Sequence, residues 1–129
     1  MQKVPQLLRF WLVVHFAVDI FFAIPLFVFP VEFLALFGLN AGASVTAHLL
    51  GASLLAIGTT SLLVHQKSRE TFLAILYLNF IWATTSAVVV LIALIRGAGY
   101  LGWIVFAIFI FFAYLWGKYK VELSKSKYE

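Results

Sequence analysis

The sequence contains no cysteine. Disulfides, thiolate metal sites and cysteine nucleophiles are therefore excluded. Charge is scarce as well. Nine Lys and Arg with five Asp and Glu make up 11% of 129 residues, where a soluble chain carries roughly 25%. So few charges cannot coat a water-facing globule, which excludes a cytosolic enzyme and a disordered tail. Internal repeats and low-complexity segments are missing too. There is no phosphate-binding glycine loop, no nucleophile elbow and no His-Glu-x-x-His spacing. The apolar runs are continuous rather than alternating, which excludes a β-barrel.

What the chain has is apolar length. Hydrophobic residues make up 64% of it, and the mean hydropathy is +1.07. A spanning helix needs about 20 mainly apolar residues. Four segments qualify, at about residues 7–29, 44–64, 72–95 and 100–116. The predicted fold is an all-α membrane protein, a four-helix transmembrane bundle forming a single domain over 1–129. Its breaks are physically marked. His65-Gln66-Lys67-Ser68-Arg69-Glu70 is too polar for lipid, and Arg96-Gly97-Ala98-Gly99 joins a charge to two helix-weakening glycines. A basic tail, 117–129, follows Trp116. The first apolar run is long and contains His15 and Asp19, so it reads as a span rather than a cleaved signal.

The positive-inside rule orients the bundle. With both termini inside, Lys3, Arg9, Lys67, Arg69, Lys118, Lys120, Lys125 and Lys127 are cytoplasmic, and only Arg96 of the nine basic residues lies outside. The expected localisation is therefore integral and multi-pass, N-in and C-in. The expected partners are the lipid bilayer, with anionic headgroups at Lys118, Lys120, Lys125 and Lys127, and a further membrane subunit or second copy. Nucleic acid is not expected, because the basic residues flank spans rather than lining a groove. Between the first two spans, Pro30 and Gly38 bracket the apolar Val31, Phe33, Leu34, Leu36 and Phe37. A short interfacial helix with Glu32 facing water is expected there, and Pro25 should kink the first span.

Candidate chemistry lies in the first three spans. His15 and Asp19 are four apart and share a face. In the second span Ala47, Gly51 and Gly58 form a small-residue stripe bordered by Ser44, His48 and Thr59, which should pack on another helix. In the third, Asn79, Ala83, Ser86 and Val90 share a face, with Trp82 beside it. Helix rise places Asp19, His48 and Ser86 in one layer about 20–22 Å from the inner face, and His15 with Asn79 in another at about 12–14 Å. The candidate ligand or proton site is therefore Asp19, His15, His48, Asn79 and Ser86, with His48 or His15 as partner to Asp19. No metal and no cofactor is expected. Thr59-Thr60-Ser61 and Thr84-Thr85-Ser86 should bond back to their own helix carbonyls. The fourth span is expected to carry no chemistry, with Tyr100, Trp103, Tyr114 and Trp116 as interface anchors.

A deep aspartate costs about 2.5–3.5 kcal/mol on insertion scales, so it should face the bundle interior and find a partner. Three functions meet that condition. The first is non-enzymatic binding of a lipophilic ligand, lipid or membrane partner around Asp19. The second is a proton-coupled transporter working as an oligomer. The third is a membrane enzyme on a lipid or isoprenoid, with Asp19 and His48 as an acid-base pair.

Overall fold

The computed structural model describes residues 4–39, 44–64 and 67–125. Within them the chain is all-helical: α1 Gln6–Val28, α2 Pro30–Leu36, α3 Ser44–Val64, α4 Arg69–Ile95 and α5 Gly102–Lys125. Four of these, α1, α3, α4 and α5, are long and apolar enough to cross a membrane. Lys3, Asn40, His65, Gln66 and Lys127 fall outside the described residues, as does the side chain of Ser44.

The helix ends follow from the residues at them. Phe29 precedes a proline and takes an extended φ of −144°, which stops α1, and Pro30 then opens α2 where its missing N–H costs nothing. The Pro25 carbonyl still accepts from the Phe29 amide at 2.9 Å. Gly38 at φ +67° closes α2, and Gly97 at φ +96° follows α4. At both places the next amide reaches back five residues, Leu39 to Leu34 and Ala98 to Ala93, each at 3.0 Å. Ser68 caps α4 by accepting from the Thr71 amide. The short α2 with an exposed Glu32 forms where expected. The last helix does not stop at Trp116. It continues through Gly117 to Lys125, because Tyr119 and Leu123 carry its buried face onward at helical spacing.

The helices pack as two close antiparallel pairs. In the first, α3 lays its small-residue stripe on α1: a Cβ at Gly51 would lie 3.1 Å from the Leu26 Cβ. In the second, α5 approaches α4 at Gly117, where a Cβ would lie 3.2 Å from the Phe80 ring. The pairs meet in an inner apolar cluster that includes Leu8 and Leu12 of α1, Val64 of α3, Phe72 and Leu76 of α4, and Trp116 and Tyr119 of α5. Arg69 ties the same end by donating to the Leu123 carbonyl, and the Arg9 guanidinium lies 5.0 Å from the centre of the Phe72 ring. At the opposite end, the Gly99 amide donates to the Phe37 carbonyl at 3.0 Å.

Candidate functional site

The buried polar side chains converge where the two pairs meet. Asp19 is seated on α3 at Gly58, whose missing side chain makes the room: a Cβ there would lie 2.8 Å from the Asp19 Cβ. One turn further in, His15 brings Nδ1 to 3.5 Å from Asp19 Oδ2 and to 3.3 Å from Ser61 Oγ. Asn79 of α4 donates its Nδ2 to the same Ser61 Oγ at 3.1 Å. On the far side, His15 meets the Phe112 ring at 4.7 Å and the Trp116 ring at 5.2 Å, both edge-on. All four long helices therefore contribute to one centre, in which His15, Asp19, Ser61 and Asn79 are buried.

Two acceptors in this centre are left over. Asp19 Oδ2 and Asn79 Oδ1 are shut off from solvent without a hydrogen-bond partner. The His15 contact to Asp19 is an ion-pair distance without hydrogen-bond geometry. A buried acceptor without a donor costs about 1–3 kcal/mol, and more if it is charged.

On the α2 side of Asp19 lies a cavity of about 360 Å³. Asp19 and His15 form its polar edge, with Ser86 and Thr85 on α4. Its walls are otherwise apolar and come from every helix, with Phe33 and Leu34 of α2 contributing alongside Phe37 and Leu39 of the following turn. The exposed members of the lining, Leu50 of α3 and Thr85 and Val89 of α4, mark where it opens, on the flank between those helices. Trp82 also lines it, and its Nε1–H is buried without a partner.

Of the candidates read from the sequence, Asp19, His15 and Asn79 come together, and Ser86 joins Asp19 around the cavity. His48 does not. It stacks on Phe27 at 6.1 Å between ring centres, while Asp19 meets α3 at Gly58. Ten residues separate those two contacts on α3, about 15 Å of helix. The depth estimate failed because it started both helices at a membrane face. In the fold Asp19 meets Gly58 and Leu26 meets Gly51, so α1 begins about two turns beyond the end of α3. With His48 elsewhere, an Asp19–His48 acid-base pair has no geometry to work through.

Two further residues were missed. Ser61 was expected to bond back to its own helix, as Thr60 does to the Ala56 carbonyl at 2.7 Å and Thr84 to the Phe80 carbonyl at 2.8 Å. Its signal was position: Ala47, Gly51, Leu54, Gly58 and Ser61 recur at spacings of 4, 3, 4 and 3, so Ser61 extends the packed stripe. Trp116 was expected at an interface. Its exposure is 0%, against 55% for Trp103 and 81% for Tyr100. The continued buried face at Tyr119 and Leu123 carried that information. Among the described residues no group of three His, Cys, Asp or Glu could hold a metal ion. Compared with protein-family models, curated proteins and solved structures, the chain matches none.

Proposed function

We propose that this protein is a multi-pass membrane protein that binds one lipophilic molecule in the cavity between its helix pairs, with Asp19 as the polar anchor. The observation carrying this is that Asp19, a nearly buried carboxylate whose Oδ2 has no hydrogen-bond partner, lines a largely apolar cavity of about 360 Å³. That volume falls within the usual range for small-ligand sites, about 300–1,000 Å³, and one convergent polar group in an apolar wall is their usual chemistry. The flank opening between α3 and α4 fits entry from the bilayer rather than from water. Both termini are cytoplasmic in this proposal and α2 lies at the outer interface. Support comes from the basic-residue bias and from the Arg69–Leu123 bond, which puts the start of α4 and the end of α5 at one end of the bundle. Lys118, Lys120 and Lys125 then face anionic headgroups.

The test is titration of the protein in nanodiscs with phenylbutanol and phenylbutylamine, followed by calorimetry against empty nanodiscs. Ser86→Phe fills the cavity from α4. Binding by the parent and its loss in a folded Ser86→Phe variant is the expected result. Equal binding by both proteins sinks the proposal.

A second function, proton-coupled transport, is favoured by one observation. Asp19, His15, Ser61 and Asn79 form a polar chain leading inward from the cavity. Proton flux into liposomes that depends on an added lipophile, and is lost in Asp19→Asn, would select it over simple binding.

A further inference from the structure

The geometry points to a specific ligand class: a lipophilic amine, held by its ammonium group against Asp19 and by aromatic faces around it. This rests on the cavity being a binding site and adds the charge of its occupant. Three observations carry it. First, the cavity lining holds one carboxylate and, among the described residues, no lysine or arginine. An anionic head would meet Asp19 and find no countercharge. A zwitterionic lipid headgroup would bring a phosphate with the same difficulty.

Second, the carboxylate is short of donors. The His15 Nδ1 is shared between Asp19 Oδ2, at 3.5 Å, and Ser61 Oγ, at 3.3 Å. The imidazole is held against the stacked rings of Phe112 and Trp116, and it leaves Oδ2 without a hydrogen bond. Oδ2 is enclosed against α3 at Gly58, so an ammonium in the cavity meets the carboxylate at its exposed part. It brings up to three donors and the missing charge, the strongest kind of partner for a buried carboxylate.

Third, the rest of the cavity suits a cation better than a neutral alcohol. Phe22, Phe33, Phe37, Trp82, Phe109 and Phe112 all line it. Aromatic faces attract a desolvated cation by their quadrupole, an attraction an alcohol does not receive. The same rings accept the apolar body of the ligand. The site thus selects by charge at one end and by apolar contact everywhere else.

Phenylbutylamine, phenylbutanol and phenylbutyrate share a body and differ in head. Titrated by calorimetry into the protein in phosphatidylcholine nanodiscs, the amine should bind at least about tenfold more tightly than the alcohol. The carboxylate should not bind measurably. Asp19→Asn should bring the amine to the alcohol's affinity and leave the alcohol unchanged. Adding phosphatidylethanolamine to the nanodiscs should not compete with the amine, and competition would overturn the assignment to a free amine. Equal binding of amine and alcohol in the parent overturns the amine assignment and leaves lipophile binding standing. No binding by any of the three removes both. The parent's own order of affinities decides the matter if Asp19→Asn fails to fold.

Discussion

Asp19 and Gly58 are in contact across the α1–α3 interface so closely that a Cβ at residue 58 would stand 2.8 Å from the Asp19 Cβ and 3.0 Å from Oδ2. The carboxylate is therefore aimed by a glycine on another helix, and its position depends on that helix staying close. Gly58→Ala should push Asp19 away from α3 and cost about 1–3 kcal/mol of stability through overpacking. Probe affinity should fall with it. Thermal unfolding in detergent checks the first effect and calorimetry the second. A variant as stable as the parent with unchanged affinity would show that Asp19 is not held by this contact.

Ser61 and Thr60 are neighbours with opposite consequences. Ser61→Ala removes the acceptor for Asn79 Nδ2 and the neighbour of His15 Nδ1. Stranding a buried donor should cost about 1–3 kcal/mol. Thr60→Ala removes only a bond to the Ala56 carbonyl of its own helix and should be nearly neutral. A double-mutant cycle of Ser61→Ala with Asn79→Ala should show coupling of about 0.6 kcal/mol, the average for interhelical hydrogen bonds in membranes. Additive losses would mean that the two side chains do not interact.

The tryptophans divide in the same way. Trp116 is fully buried, with its ring 5.6 Å from Phe112 in a stacked arrangement. Trp116→Ala should cost about 3–5 kcal/mol by opening a cavity in the core. Trp103→Ala, at a site 55% exposed, should cost much less. Unfolding midpoints that fall equally in the two variants would count against the inner cluster as the main support of the fold.

Topology can be read with added thiols, because the native chain has no cysteine to interfere. Ser68→Cys and Lys125→Cys should react with an impermeant maleimide only from the cytoplasmic side. Glu32→Cys and Arg96→Cys should react only from the outside. All four positions are exposed. Labelling of Glu32→Cys from the cytoplasm would reverse the orientation.

The long helices and the short α2 were legible because hydropathy, Pro30, Gly38 and Gly97 act locally. The face shared by His15 and Asp19 was legible for the same reason, since one helix fixes it. Partners across helices were not. Which residue of α3 meets Asp19 depends on how far α3 slides along α1, and that slide is fixed by the close contacts of Leu26 with Gly51 and of Asp19 with Gly58. An offset of about 15 Å exchanged His48 for Gly58. The burial of Trp116 was hidden because a tryptophan near the end of an apolar run resembles a headgroup anchor until the helix is seen to continue. The cavity depends on the spacing between two helix pairs, which no single helix encodes.

The backbone bond from Gly99 to Phe37 joins the turn after α4 to the turn after α2 at the α2 end of the bundle. These turns cross so closely that any side chain at Gly38, already at φ +67°, would collide with the Gly99 backbone. The inner aromatic cluster fastens the other end. The two helix pairs are thus joined at both ends with the cavity between, like a beam supported twice. In the proposed binding mode a roof fixed in this way leaves the side as the way in, so the width of the gap between α3 and α4, not the depth of the cavity, would set which molecules enter.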